Sequence, residues 1–538
     1  MRSKEKSVIS IIMQIIFVLS CPFLTLLLSN RYETLFVCIG AFISLIIAFI
    51  LVCKFSHQFS KINNKKLLVA LAVSLYMLGL FSKINNLAIN SLGAKINDIF
   101  GIYLEDGLYK LVALLAIPAL TCFIYLFIDK VIPKIKKFIL GLSKMEKRYL
   151  VIIGIIGFIV AFYANTVTTA FSIPYHEGNL KIYDVLYTTD SGSLVYEDTY
   201  FNVSFAENDI RQPLFGVFAL PFSVVAKVLG ELFFFLPDGF AYPTMMCFIQ
   251  FILLAIIVIL IARMIQVQEK DKKYLYLLFS VSFPTLIFSI ILEQYVIGLF
   301  YLVLSLYYYF TTKDKINYPY IGAVGTMLTS GVIFPLISKG KTLKKWISDV
   351  FKCFLAFISI FVISGQLPQL LLFVTRFGEL TSSFALKLSF TDKLYQFLNF
   401  VQATLLAPKG HLVMIDGFPT YQLQEVTTFS IIGIILLIAV VVSFILNRKN
   451  NFAKFSFLWV IFSILLLLII GWGTTENGLI LYSLYFSFAY LTLYYLLLKK
   501  IFKNRKVFVA VTVILIIGVF VFNMKEVINI FNFAIKYY

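Results

Sequence analysis

Residues 149–170, YLVIIGIIGFIVAFYANTVTTA, run for 22 positions without a charged side chain. Soon after comes 173–211, IPYHEGNLKIYDVLYTTDSGSLVYEDTYFNVSFAENDIR, of the opposite character. The first stretch is long enough to cross about 30 Å of hydrocarbon as a helix. The second sets Glu177, Asp184, Asp190, Glu197, Asp198, Glu207 and Asp209 against only Lys181 and Arg211, in a chain of formal net charge +19. Lys and Arg collect on the cytoplasmic side of membrane proteins, so a loop poor in them reads as non-cytoplasmic. That rule explains few bases but not many acids. Carboxylates beside a bilayer are costly unless solvated, paired or used, which makes 173–211 the candidate active-site loop.

Outward from this loop the chain is 60% hydrophobic and 14% charged, with mean hydropathy +0.93. A water-soluble core cannot bury that much apolar surface, so a soluble domain is excluded. Fifteen apolar segments stand out: 7–29, 33–53, 67–84, 108–128, 149–170, 212–229, 241–262, 274–291, 295–311, 318–337, 347–365, 428–446, 455–472, 478–498 and 506–523. Backbone groups in lipid must bond internally, and no ten-residue alternating pattern suggests a barrel. The expected fold class is therefore all-α, a polytopic transmembrane helical bundle. The basic start MRSKEK precedes a run too long for a leader and without a small-residue cleavage site, which reads as a retained helix. Six cysteines are scattered singly through apolar runs and read as small hydrophobes.

Basic links at 54–66, 129–148, 263–273, 338–345, 447–454 and 499–506 give the orientation, with a cytoplasmic N-terminus and the acidic loop outside. Parity holds through the fifth segment and then fails twice. Full crossings by both 212–229 and 241–262 would put 263–273 outside, and a full crossing by 318–337 would do the same to 338–345. One element in each region is expected to be re-entrant, interfacial or broken, with 212–229 and 318–337 the candidates; GTMLTSG in the latter suits a broken helix. About 13 crossings remain. Three regions follow: an N-terminal four-helix appendage over 1–148, a core over 149–345, and C-terminal helices over 346–538 with a second outer loop, 366–427, whose amphipathic stretches suit the interface.

Within this frame, Asp190 in YTTDSGS lies where Ser and Gly favour a turn that presents a carboxylate, or merely bonds its own backbone. In NDIRQPLF, Asp209, Arg211 and Gln212 precede Pro213, which can open a helix. The planar fork of Arg211 suits a phosphate, or an ordinary ion pair with Asp209 or Glu207. Glu293 in SIILEQYVIGLF falls at an expected outer hairpin, where it is either solvated or a second carboxylate converging on Asp190. Glu476 and Asn477 in GWGTTENGLI adjoin glycines that permit close backbone approach. His176, Glu177, Lys409 and His411 complete the outer polar set. No phosphate-binding glycine loop, HExxH or CxxC pattern is present. An activated substrate must then arrive through the membrane, linked to lipid.

TTDSG, NDIRQPLF and LEQYVIGLF together resemble the polytopic GT-C glycosyltransferases, which include protein O-mannosyltransferases and aminoarabinose transferases. The likeness covers 149–340, with Asp190 and Pro213 about 23 residues apart. It departs from the family in three ways: the acidic loop follows the fifth helix, Arg-Gln replaces His-Pro or Lys-Pro, and Asp190-Ser191 replaces an acidic pair. The resemblance implies sugar transfer from a polyprenyl-phosphate-linked donor to a cell-envelope glycan, lipid or protein acceptor, outside the cell membrane, with membrane lipid and no nucleic acid as partner. It implies Asp190 as base and Glu293 as the second carboxylate, the pair able to hold a divalent metal ion (Mg or Mn). Arg211, aided by Lys409 or His411, would neutralise the lipid phosphate; His176, Glu177, Asp209, Gln212, Glu476 and Asn477 would contact substrate. A polysaccharide polymerase or ligase, and a lipid-linked sugar flippase, are the alternative readings.

Overall fold

The structure, a computed structural model, describes the chain apart from 1, 30–33, 60–61, 82–86, 101–104, 167–210, 234–240, 313–314, 340–341, most of 370–387, 416–417, 424–428 and 538. Helices α1 (Arg2–Leu28), α2 (Thr34–Phe59), α3 (Asn64–Phe81), α4 (Leu87–Phe100), α5 (Glu105–Lys130), α6 (Ile132–Leu140) and α7 (Lys144–Thr166) precede the acidic loop. After it come α8 (Phe215–Leu232), α9 (Ala241–Ile265), α10 (Lys272–Val281), α11 (Phe283–Ile290), α12 (Gln294–Thr311) and α13 (Pro319–Thr326). The remainder holds α14 (Leu343–Ile363), α15 (Phe390–Ala403), a hairpin of β1 (His411–Ile415) and β2 (Phe418–Gln422), α16 (Ile431–Asn447), α17 (Asn451–Ser463), α18 (Ser483–Ile501) and α19 (Arg505–Tyr537). Among the described residues twelve helices are long and apolar enough to cross a membrane, or up to 13 if a bent pair counts as one span. The chain is an all-α polytopic bundle, as its apolar runs require.

Contacts divide it into two compact units. The first comprises Met1–Leu142, Asp198–Val224 and Val324–Phe377; the second comprises Ser143–Glu197, Val225–Ala323 and Gly378–Tyr538. In the first, α1 lies on α2 and α5. Cys21, Ala116 and Ala119 let backbones approach while Phe17, Leu24 and Val112 fill the space between them. Lys66 donates to Asp129 at 2.5 Å and the Asn63 N–H to the Tyr125 hydroxyl at 3.1 Å, which brings two of the basic links to one end. Ser29, just past α1, donates to the Gly365 carbonyl at 3.2 Å, just past α14. The two helices therefore finish at one end, and 338–345 lies where α1 begins.

The two segments whose parity failed meet in this unit. The 318–337 run is broken at Met327, whose extended backbone separates α13 from a 3-10 turn at Leu328–Ile337. Into that break fits the chain before α8. The Leu328 N–H donates to the Arg211 carbonyl at 2.6 Å and the Leu214 N–H to the Gly325 carbonyl at 2.7 Å. The break thus supplies partners for backbone groups that lipid would leave unbonded. The other suspect, 212–229, is not broken, because α8 runs unbroken for 18 residues from two positions after Pro213.

In the second unit α7 and α9 are antiparallel: Phe158 meets Phe248 edge-on at 5.8 Å, Gly157 adjoins Phe251, and Glu146 meets Arg263. Glu146, 1% exposed, accepts two bonds from the Arg263 guanidinium (3.0 and 2.7 Å), one from Lys272 (3.0 Å) and one from the Ser143 N–H (2.9 Å). Asp271 in turn meets Lys499 at 3.6 Å and Arg505 at 3.9 Å. Three basic links, 144–148, 263–273 and 499–506, therefore share one end of this unit. Gly230, near the close of α8, lies against Ala241. Ala241 opens α9 at the other end from Arg263, so α8 finishes away from the basic links of this unit.

Glu146→Ala would strip Arg263 of its carboxylate and leave Lys272 with Glu269 alone. Both cations stay partly exposed, so an expected loss of about 1–3 kcal/mol follows, read as a lower unfolding midpoint of purified protein in detergent. An unchanged midpoint would reduce the cluster to a surface ornament.

Residues 274–291 were expected as one span and instead form a pair, α10 and α11, bent by 63°. Ser282 and Pro284 sit at the bend, where proline removes a helix donor. Asn523 on α19 donates to the carbonyls of Val281 (2.8 Å) and Leu405 (2.9 Å), and the Phe283 N–H donates to Leu405 (3.1 Å). The freed backbone groups are thereby satisfied.

Candidate functional site

Beyond the bend the chain turns at Ile291–Leu292–Glu293 into α12. Sequence reasoning set Glu293 at a tight outer hairpin open to solvation. The structure buries it completely. Gln250 of α9 builds the turn: its amide nitrogen donates to the carbonyls of Phe288 (3.3 Å) and Ile291 (3.0 Å), and its amide oxygen accepts the Glu293 N–H (3.3 Å). The Cys247 thiol donates to the Ile290 carbonyl at 2.9 Å. Gln250 is nine residues into α9, so Glu293 lies about 13 Å along that helix, within the helical layer. It is the N-terminal flank of α12, where the positive end of the helix favours an anion.

Two residues on, Tyr295 meets Tyr482 edge-on, with ring centroids 5.7 Å apart. The Tyr482 hydroxyl accepts the Trp472 indole N–H at 3.0 Å. Thus the turn after Gly471 stands beside the Glu293 turn. Gly471 and Gly473 have φ of +80° and +78°, a left-handed backbone that side chains resist. A Cβ at Gly471 would lie 2.9 Å from the ammonium nitrogen of Lys393, and one at Gly473 would strike the Tyr482 ring. Glu476 and Asn477 follow in a 3-10 turn, Thr475–Tyr482, but their side chains lie outside the described residues.

Lys393 is the functional candidate that sequence reasoning passed over as one of several loop cations. Ser389 caps α15 by accepting the Asp392 N–H (3.2 Å) and donating to the Asp392 carboxylate (2.7 Å), which fixes the turn carrying Lys393. The signal was SFTDK, a capping sequence, but its partner 78 residues later is visible only in three dimensions.

Arg211 and Gln212 belong to the first unit. Both precede Pro213, and Gln212 is 3% exposed; its nitrogen faces the Met327 sulfur at 3.6 Å. Lys409 is exposed, and His411 begins β1. Their hairpin is tied to α19, where Glu526 accepts the Gly410 N–H (2.9 Å) and the Tyr421 hydroxyl (2.6 Å). Burial, then Glu526, pushes the Tyr421 phenol up, so it stays protonated and donates. Within the 366–427 region, whose amphipathic stretches suit the interface, α15 buries Phe397 and Phe400, the latter edge-on to Phe486 and Tyr490. His176, Glu177, Asp190 and Asp209 lie outside the described residues.

Of the expected metal pair the described residues offer Glu293 alone, because Asp190 lies outside them. Among the described residues no three His, Cys, Asp or Glu side chains gather to hold a metal. No protein-family model matches the chain, and no curated protein or solved structure matches it.

Proposed function

We propose that this chain is an integral-membrane glycosyltransferase that moves a sugar from a polyprenyl-phosphate donor to a cell-envelope acceptor on the extracytoplasmic face. What carries the reading is Glu293, a carboxylate wholly buried within the helices at a break between spans, beside the glycine turn at Gly471 against which Lys393 of α15 lies. Ionisable groups at such depth are expensive and mark function by default. Within each unit the basic links cluster at one end, which supports a cytoplasmic assignment of that end.

In the proposed reaction an acceptor hydroxyl attacks the anomeric carbon and Asp190 takes its proton. The bond from that carbon to the phosphate oxygen breaks, and the oxygen keeps the electron pair. Lys393 meets the resulting phosphate charge, while Glu293 orients Asp190 and opposes the positive charge developing on the sugar. The phosphate role that the resemblance gives Arg211 is a separate expectation, tested by substitution in the same assay.

One observation also favours a flippase. A bent span and a carboxylate inside the bundle are features of carriers. The two readings separate when purified protein in liposomes is given a panel of polyprenyl-phosphate sugars. Release of polyprenyl phosphate, dependent on acceptor, is the expected result for one donor. Movement of intact donor across the bilayer without release would replace transfer with transport.

A further inference from the structure

The second unit also has a groove of about 460 Å³ between α7, α9, the α10–α11 pair and α19. Ile152, Ile156, Leu254, Leu277 and Phe520 give it apolar walls. Ile152, Ile156 and Leu277 remain 55%, 47% and 45% exposed, so the groove opens sideways toward lipid. Its floor is stiff: the Tyr149 and Tyr276 rings stack at 4.5 Å, and the Tyr149 and Ser280 hydroxyls bond at 2.8 Å.

The mouth is cationic. Arg148 and Lys273 line it beside the Glu146 cluster, at the basic end of the unit. The acids nearby are already engaged, Glu146 with Arg263 and Lys272 and Glu269 with Lys272. Among the described residues neither Arg148 nor Lys273 has a carboxylate partner. Lys273 only crosses the face of Tyr274, 5.0 Å from the ring centroid. Two unneutralised cations at the head of an apolar slot complement one kind of molecule, an amphiphile with an anionic head. Basic pockets between spans on the cytoplasmic side bind such headgroups.

We propose that the groove seats one acyl chain of an anionic phospholipid from the leaflet at the basic end, with its phosphate held by Arg148 and Lys273. The slot runs from Arg148 to Ile156 along α7, about 12 Å. That length suits part of one acyl chain, with the second chain left in the bilayer, and falls far short of a polyprenyl tail. The proposal does not rest on the sugar-transfer reading.

Protein in phosphatidylcholine nanodiscs containing phosphatidylglycerol with a diazirine on one acyl chain would be irradiated and its labelled peptides read by mass spectrometry. Labelling is expected at Ile152 and Leu277, competed by unlabelled phosphatidylglycerol and not by phosphatidylcholine. The double variant Arg148→Gln, Lys273→Gln is expected to weaken that competition roughly thirtyfold, the contribution of two basic side chains at an anionic surface. Unchanged labelling at the exposed Val151 and Ile159 would show that the variant still folds. Equal competition by phosphatidylcholine, or indifference to the double variant, would overturn the proposal. Stronger competition by a polyprenyl phosphate would overturn it too, by giving the groove to the carrier lipid.

Discussion

A Glu293→Gln chain is expected to accumulate and unfold like wild type while transferring sugar about 10²–10³-fold more slowly, the usual cost of one preorganised electrostatic contact. Glutamine keeps the shape of the side chain, and the turn does not depend on its charge. What holds the turn is Gln250, which bonds the Glu293 N–H and the carbonyls of Phe288 and Ile291 through its own amide. Only the buried negative charge is removed. Initial rates with the active donor, set beside the unfolding midpoint, separate the two properties. Full activity in the variant would make Glu293 a structural carboxylate and remove the main support for the transferase.

Asp190→Asn is expected to slow transfer by about 10²–10⁴-fold, the range for loss of a general base. Asparagine preserves the turn that YTTDSGS favours but takes no proton from the acceptor hydroxyl. The wild-type rate should fall in acid as a carboxylate is protonated, and the residual rate of the variant should lose that limb. If Glu293 acts by orienting Asp190, the double variant should be little worse than Asp190→Asn alone, because effects within one catalytic unit do not add. Survival of turnover in Asp190→Asn would remove the base and leave the acidic loop without its assigned task.

Much of the architecture was legible because span length and loop charge are properties of contiguous residues. The apolar runs gave the helices, and in the second unit the basic links gave a common end that Glu146 and Asp271 bind together. The parity count pointed to 318–337, which breaks at Met327, because the positive-inside rule constrains every crossing at once. The bend at Ser282 escaped because 274–291 is uniformly apolar and Pro284 also suits an ordinary helix start. The depth of Glu293 escaped for a different reason. A turn outside the bilayer and one inside the bundle have the same local sequence, and only Gln250, 43 positions earlier, distinguishes them. Lys393 was invisible as a site residue because its partner is a bare backbone at Gly471.

The seam between 211–214 and 325–328 bears on how the chain is made. During synthesis the amides and carbonyls around Arg211 and Leu214 leave the ribosome well before Gly325 and Leu328 exist, a gap of about ten seconds at ordinary elongation rates. Until then that stretch must stay hydrated or borrow bonds from the insertion machinery. The segment ahead of α8 is consequently set into the bilayer late, after its downstream half has been delivered, and a nascent chain stopped short of Gly325 should leave it open to a protease added from the side of the acidic loop.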